Sequence, residues 1–486
     1  MDNKKRNNDS VIGGLFWTFG ERITAQLVTT IVTIVLARIL DPGHYGMISI
    51  VTVFITFCNI FVSAGFGSAV VQKKKADNLD FNTAFVISLS TSLILYIIIF
   101  FLSPYISVFY KMPLLCPVIR VMGIRLIITS LNTIQHAYIQ REMKFKKFFF
   151  ATLFGTIMSA IIGIVLALCG YGVWALVAQY LTNTTIDTIV LLFVCKWKPK
   201  IQFNRDRAKQ LFSFGWKVLG TELIYTLESD VRSLIVGKVF GSADLAYYDQ
   251  GKKYPSLFVT NISSSINKVM LPTFSKKQDD LNDLKLTLRK AIKVGMYLLS
   301  PLLIGFAFVS KNVVLLLLTK KWLPVVPYIQ VFCIVFLTRP LETACHQALL
   351  GIGKSGLVMK IMFGINIIAL MTVIIAVFGF HSVFLIAIGS LLSAFVSIGL
   401  FMYETNKKIG YTPTEQIHDI MPPIILSFAM GLAVYIVGKT SISIVLQLVL
   451  QVIIGFITYL LLSIAFRIDS FVYLKHKLVS IVKKGN

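Results

Sequence analysis

The chain has 486 residues, of which 56% are hydrophobic and 14% are charged, and its mean hydropathy is +0.78. A soluble protein of this length carries nearly twice that charged fraction, so the composition excludes a large soluble domain. Apolar runs of about 20 residues recur along the chain, and each can cross a hydrocarbon core of about 30 Å as a helix. We therefore predict an all-α integral membrane protein.

Fourteen transmembrane helices are predicted in chain order. They begin near Ile12, Tyr45, Thr83, Val118, Phe148, Val173, Ser213, Tyr254, Ala291, Pro327, Leu357, Ser382, Ile420 and Ile442. The first apolar run follows a basic segment, but no small-residue cleavage site comes after it. We interpret that run as a retained span and not as a signal peptide.

The net charge of +25 follows the predicted topology. If the N-terminus is cytoplasmic and the spans alternate, cytoplasmic segments hold 31 of the 47 Lys and Arg residues and outward loops hold 10. Such a bias over short loops sets the orientation of membrane proteins. We predict that both termini are cytoplasmic and that the chain binds no nucleic acid, because the basic residues report topology.

The two halves of the chain resemble each other. ARILDPGHYG (37–46) resembles GKVFGSADLA (237–246), and at a shift of 210 LNTIQHAYI (131–139) matches LETACHQAL (341–349). Six spans, an even number, separate the equivalent segments, so both copies cross the membrane in the same direction, as in parallel repeats. We predict two six-helix bundles around a central cavity, followed by two additional C-terminal helices.

The repeat defines four predicted regions. They are an N-lobe of residues 1–195 with spans 1–6, a basic cytoplasmic linker of residues 196–212, a C-lobe of residues 213–405 with spans 7–12, and residues 406–486 with spans 13–14 and a basic tail.

Charged residues inside the spans are costly in lipid and indicate functional positions. Helical spacing places Arg125, Asn132 and His136 on one face of the fourth span, and Arg339, Glu342 and His346 on one face of the tenth. The candidate site residues are Arg22, Arg125, Asn132, Glu228, Asp230, Arg232, Lys268, Arg339 and Glu342. In the alternative interpretation, Glu228 and Arg232, four residues apart, pair to fix helix packing, and the two histidines have packing roles.

Five cations among these residues favour an anionic ligand, and Arg suits phosphate well. The segment ALLGIGKSG (348–356) lacks the first Gly of a P-loop, and no HExxH, GxSxG or DxD pattern occurs. No pattern indicates a metal site or a disulfide among the six cysteines. The outward loops are short, with the longest expected near 238–253 and 309–325. We predict a transporter with no catalytic residues.

Several segments resemble Wzx-type polysaccharide flippases of the WzxC-like branch. They are IQREMKFKKF (139–148), LARILDPGHYG (36–46), DVRSLIVGKVFGSADLAYYDQGKKYPSLF (230–258) and SSSINKVMLPTFSKKQDD (263–280). Ala246 stands where that family usually has Gly, and Lys268 stands where it usually has Arg. The resemblance covers roughly residues 10–405.

The resemblance implies the MOP-superfamily fold in a bacterial cytoplasmic membrane. It also implies flipping of undecaprenyl-pyrophosphate-linked oligosaccharide to the outer leaflet, by alternating access, for O-antigen, capsule or exopolysaccharide export. On that hypothesis Arg22, Arg232, Lys268 and Arg339 bind pyrophosphate. Arg125, Asn132 and Glu342 contact sugars.

Two other functions stay open on the sequence. They are a cation-coupled exporter of drugs or other small molecules from the same superfamily, and a membrane polysaccharide polymerase or ligase. No cofactor is expected. Coupling to a proton or cation gradient stays open, with Glu228, Asp230 or Glu342 as carriers, and so does binding to a polysaccharide polymerase and a chain-length regulator.

Overall fold

The computed structural model describes residues 24–63, 66–73, 76–141, 145–195 and 197–484. Within these ranges the chain forms helices joined by short connections, and it contains no β-strand. A helix satisfies its backbone hydrogen bonds within one segment, which lipid requires. The all-α class predicted from the composition is confirmed.

Most of the helices are long. The α-helices are α1 (Thr24–Ile39), α2 (Pro42–Ser63), α3 (Phe66–Gln72), α4 (Asn78–Tyr110), α5 (Leu115–Arg141), α6 (Phe145–Leu168), α7 (Val173–Val194), α8 (Arg205–Val239), α9 (Ser242–Lys276), α10 (Leu281–Leu317), α11 (Val326–Leu337), α12 (Arg339–Gly351), α13 (Ser355–Ile374), α14 (Val383–Ile409), α15 (Pro413–Val437), α16 (Ile444–Ala465) and α17 (Asp469–Lys484). A 3₁₀ turn (Lys320–Val325) precedes α11, and a π turn (Ile375–Gly379) follows α13.

Ten helical segments of the described chain are long and apolar enough to cross a membrane. Two shorter apolar helical stretches are also present, namely α1 (Thr24–Ile39) and the Thr152–Leu168 part of α6. Helices α8 and α9 contain 35 residues each but are far more polar along their length. The chain is therefore a multi-pass membrane protein, and the count of fourteen spans stays a prediction.

Several helices extend well beyond the predicted spans. Segment 242–253, expected as part of an outward loop, lies in α9, and 309–317 lies in α10. These segments, predicted from the sequence to lie in the longest of the short outward loops, are helical because hydropathy marks only the apolar part of a helix, whereas backbone hydrogen bonding continues into polar residues. Side-chain N-caps begin two of these helices, with Asn204 at α8 and Asp280 at α10.

By internal contacts the chain divides into two compact units, the first ending at Ala246 and the second beginning at Tyr247. In the first unit, α4 packs against α5, α6 against α7, and α5 against α7. Helix α8 packs against α2, α3 and α4 and belongs to this unit. The predicted lobe boundaries derive from the repeat rather than from compactness, and they stay a prediction.

Two contacts inside the first unit position Ser242, the first residue of α9, and the linker. A Cβ added at Gly46 would lie 1.7 Å from the carbonyl oxygen of Ser242, so only glycine allows α2 to approach the start of α9. In the linker, Trp197 is buried against the rings of Phe81 and Tyr138. The predicted linker is thus anchored to α4 and α5 through an aromatic cluster.

The second unit repeats part of this packing pattern. Helices α11 and α12 pack against α10 and α14, and α13 packs against α14. The C-terminal helices α15 and α16 pack against α10 and against each other. Where α5 is continuous, the corresponding α11 and α12 are separated at Thr338, a residue that ends one helix and precedes Pro340 in the next.

Candidate functional site

The polar face predicted on α5 lies against α7. The guanidinium of Arg125 donates to the hydroxyl of Thr184 at 3.0 Å and lies 5.4 Å from the ring centroid of Tyr180. The amide nitrogen of Asn132 donates to the hydroxyl of Thr188 at 2.9 Å. Residues two turns apart on α5 therefore contact polar residues on α7.

The central acid of this contact is Asp187 on α7. Its Oδ2 atom lies 3.2 Å from the amide nitrogen of Asn132 and 3.0 Å from the Nε2 atom of His136. The candidate site predicted from the sequence did not include Asp187. The signal was present in the run Asn183, Thr184, Asp187 and Thr188, which has the spacing of a polar helix face.

In the second unit, the polar face predicted on α12 lies near α14. Arg339 and Glu342 form an ion pair at 3.3 Å, with side chains 44% and 18% exposed. The hydroxyl of Ser397 on α14 donates to Glu342 at 3.1 Å. The ring of His346 packs edge-on against Phe401.

A shift of 210 residues relates these two contacts. It places Asn132 on Glu342, His136 on His346, and Asp187 on Ser397. Each unit thus joins the helices that this shift aligns through one carboxylate and one neutral polar side chain. The acid is on α7 in the first unit and on α12 in the second.

Other predicted site residues are placed only in part. Arg22 lies outside the described residues, as do the side chains of Glu228 in α8 and Lys268 in α9. Asp230 and Arg232 lie on α8 and are half-buried. The predicted Glu228–Arg232 pair therefore stays a prediction.

A buried ion cluster joins the linker to the start of α4. The carboxylate of Asp80 is fully buried and contacts Lys73 at 2.6 Å and Arg207 at 3.3 Å. The backbone N–H of Asp80 donates to Asp77, and this hydrogen bond lowers the pKa of Asp77. Both acids at the start of α4, Asp77 and Asp80, form ion pairs with Arg207 of the linker. These ion pairs hold the N-terminal end of α4 against the linker.

A second buried cluster joins α10 to α15. The carboxylate of Asp419 accepts two hydrogen bonds from Arg289, at 2.7 and 3.0 Å, and contacts Lys293 at 3.3 Å. The hydroxyl of Tyr411 donates to Asp419 at 2.7 Å, and burial raises the pKa of Tyr411 far above its usual range. The cluster holds the first of the two C-terminal helices onto the second unit.

The chain matches known families and structures. The sequence profile of a family described as "Polysaccharide biosynthesis protein" matches residues 35–327. The "Lipopolysaccharide biosynthesis protein WzxC" of Escherichia coli K12 is 21% identical over 87% of this chain and 88% of the relative.

Two solved structures share the fold. The lipid II flippase MurJ in an inward closed conformation matches with a TM-score of 0.75 and 15% identity, over 94% of this chain and 99% of MurJ. An inward-facing multidrug resistance MATE transporter of the MOP superfamily matches with a TM-score of 0.63 and 15% identity, over 79% and 95%. At these identities the likeness establishes a MOP-type fold.

Proposed function

Since the chain belongs to the polysaccharide biosynthesis protein family, we propose that it flips undecaprenyl-pyrophosphate-linked oligosaccharide from the cytoplasmic to the outer leaflet. The product is then available for O-antigen, capsule or exopolysaccharide assembly. Transport proceeds by alternating access in the bacterial cytoplasmic membrane, with both termini inside. A bound polymerase and a chain-length regulator would be compatible partners.

The observation that carries this proposal is the combination of family and fold. The family match covers most of the first unit and the beginning of the second, and the MOP-type fold is shared with MurJ, a lipid II flippase. The same fold also serves multidrug transporters, so the fold alone does not select the substrate. Membership of the polysaccharide family favours a lipid-linked sugar over a drug.

The polar faces provide chemistry suited to such a substrate. We assign Arg22, Arg232, Lys268 and Arg339 to the pyrophosphate, because a guanidinium group binds two phosphate oxygens at once and a lysine ammonium binds phosphate as a point charge. Arg339 is 44% exposed, which leaves its guanidinium accessible. We assign Arg125 and Glu342 to sugar hydroxyls.

Asn132 receives a different role in this proposal. Its side chain is buried, and its amide nitrogen already donates to Asp187 and Thr188. Contact with a sugar would break those bonds in a dry environment, at a cost of about 1–3 kcal/mol for each unsatisfied group. We therefore assign Asn132 to positioning α7 and Arg125 to the sugar contact on this face.

The experiment compares arginine variants in cells that depend on this chain for surface polysaccharide. Replacing both Arg232 and Arg339 by Ala is expected to abolish surface polymer at unchanged protein level. Arg205→Ala, an exposed arginine at the start of α8, is the matched control and should retain polymer. Normal polymer in the double variant would refute the pyrophosphate assignment.

A further inference from the structure

The last helix, α17 (Asp469–Lys484), differs in character from the spans that precede it. Its 16 residues include four lysines, and it is too short and too polar to cross a membrane. Three residues separate it from α16, which is long and apolar enough to do so. We propose that α17 lies on the surface of the bilayer and binds the phosphate headgroups of anionic phospholipids. This inference does not depend on the transported substrate.

A sharp turn separates α17 from α16. The backbone N–H groups of Phe466, Arg467 and Ile468 donate to carbonyl oxygens in the last turn of α16. Arg467 has a φ of 47°, in the left-handed region. Such a turn ends a helix and redirects the chain. Helix α17 is therefore a separate element that starts at the end of a helix of spanning length, rather than a continuation of it.

The first half of α17 is held on the second unit. The carboxylate of Asp469 contacts the ammonium group of Lys293 on α10 at 2.8 Å. Phe471 and Leu474 pack against an apolar cluster at the same place. The buried members of that cluster are Tyr297, Leu426, Met430 and Tyr459. These contacts fix the start of α17 beside α10 and α16.

The apolar face of α17 continues beyond these contacts. Helical spacing in the sequence places Leu478, Ile481 and Val482 on the face that begins with Phe471 and Leu474. A helix with one apolar face and a low overall hydrophobicity lies in the plane of the bilayer interface. The pattern of α17 is of this kind, and it extends for two turns past the contact with the second unit.

Lipid is adjacent to the start of α17. On the last turns of α16, the large apolar side chains of Leu461 and Ile464 are exposed, and so is Phe466 in the turn that follows. On a membrane-spanning helix, exposed apolar side chains of this size contact lipid chains. Val472 in the first turn of α17 is also exposed. The bilayer therefore reaches the turn from which α17 departs.

The polar side of α17 is basic. Lys475 and His476 are exposed. Segment 467–484 has one acid, Asp469, which is already paired with Lys293. Its basic residues are Arg467, Lys475, Lys477, Lys483 and Lys484. Because each lysine near an anionic membrane strengthens binding about fivefold, the charge of this segment favours anionic over zwitterionic headgroups.

The tether to α16 favours lipid over a soluble anion. It keeps α17 within a few residues of the headgroups, so contact with them is made at a high effective concentration. A bilayer surface also satisfies both sides of the helix at once, since acyl chains cover the apolar face and phosphates pair with the lysines. A soluble anion would pair with the lysines alone.

The first test follows amide hydrogen exchange of the full chain by mass spectrometry in two kinds of lipid nanodisc. One contains phosphatidylcholine alone, and the other contains an equal mixture of phosphatidylcholine and phosphatidylglycerol. The amides of residues 475–484 should exchange at least about tenfold more slowly in the mixture. Equal exchange in the two nanodiscs would refute binding to anionic lipid. A difference that is unchanged at high salt would refute it as well.

Charge variants identify the groups responsible. With all four lysines of α17 replaced by Gln, the difference between the nanodiscs should fall below about twofold, whereas replacing them by Arg should preserve it. The matched control replaces four exposed basic residues of the linker and the start of α8 by Gln, and it should keep the full difference. The control positions are Lys198, Lys200, Arg205 and Lys209. A difference that survives in the first variant, or is lost in the control, would overturn the assignment.

The second test examines the apolar face. Leu478→Asn combined with Ile481→Asn should speed the exchange of α17 at least about tenfold in both nanodiscs, because the helix loses its apolar contact with the interface. Ser480→Asn, on the polar side, is the matched control and should change little. Unchanged exchange in the double variant would refute the surface location. Slow exchange in native membranes but in neither nanodisc would assign α17 to a partner protein and overturn the lipid assignment.

Discussion

The α5–α7 contact of the first unit and the α12–α14 contact of the second place their acids on opposite helices. In the first, Asp187 on α7 accepts from Asn132 and His136. In the second, Glu342 on α12 accepts from Ser397 and pairs with Arg339. What the two halves share is therefore a polar joint of one acid and one neutral partner, with the acids on opposite helices. The basic partner differs, since it is His136 in the first joint and Arg339 in the second.

Removing the acid should have the largest effect in the first unit. Asp187→Ala removes the acceptor that the buried Asn132 amide and the His136 ring share, so we expect a loss of about 2–3 kcal/mol in the free energy of unfolding. Glu342→Ala should cost about 1 kcal/mol, because the Arg339 side chain is 44% exposed and solvent screens the ion pair. Unfolding of the purified variants in mixed micelles measures both. Equal losses would contradict the difference between the joints.

Exchanging the acid between helices tests whether the joint is symmetric. Asn132→Asp alone places two carboxylates together and should destabilise the chain. Adding Asp187→Asn moves the acid to α5, as in the second unit, and should recover about 1–2 kcal/mol relative to the sum of the single effects. The same unfolding measurement gives this coupling energy. If the destabilising effects of the two substitutions simply add, the acid does not function equally well on either helix.

The helix caps provide a pair of equivalent positions, Asp77 before α4 and Asp280 before α10. Both carboxylates accept backbone N–H groups of the first turn, so replacing either by Ala should cost about 1 kcal/mol. The controls Asp77→Asn and Asp280→Asn keep an acceptor and should cost little. A much larger effect at one cap would show that the equivalence does not extend to the helix ends.

The cap at Asp77 should also depend on pH. Its pKa is lowered in the folded chain, so its stabilising effect is complete above the unfolded value of about 4 and is lost as the pH falls further. The difference in stability between wild type and Asp77→Ala should therefore shrink below about pH 4. A difference that grows on acidification would have the wrong sign.

The smallest effect is expected at the neutral partner of the second joint. Ser397→Ala removes one hydrogen bond to Glu342, which keeps its ion pair with Arg339. We expect a loss of about 0.5–1 kcal/mol in the free energy of unfolding. Thermal unfolding followed by intrinsic fluorescence is sufficient to detect it. A loss as large as that of Asp187→Ala would make the serine the main contact of that joint.

Sequence periodicity predicted the polar faces of α5 and α12, because helical spacing alone places Arg125, Asn132 and His136 on one side. Their partners on α7 and α14 could not be assigned, since which helices pack together is not encoded in spacing within one helix. The buried clusters around Asp80 and Asp419 were missed for the same reason. Each joins segments more than 100 residues apart in the chain.

The measurement that tests the central claim most directly is the sidedness of the lipid-linked sugar in cells lacking this chain. Lipids would be extracted, and the leaflet and mass of any undecaprenyl-pyrophosphate oligosaccharide determined. We expect accumulation on the cytoplasmic leaflet, reversed by the wild-type chain, and the mass would identify the sugar. Normal delivery to the outer leaflet, in a strain with no second flippase, would contradict the account and favour a drug exporter or a polymer-forming enzyme.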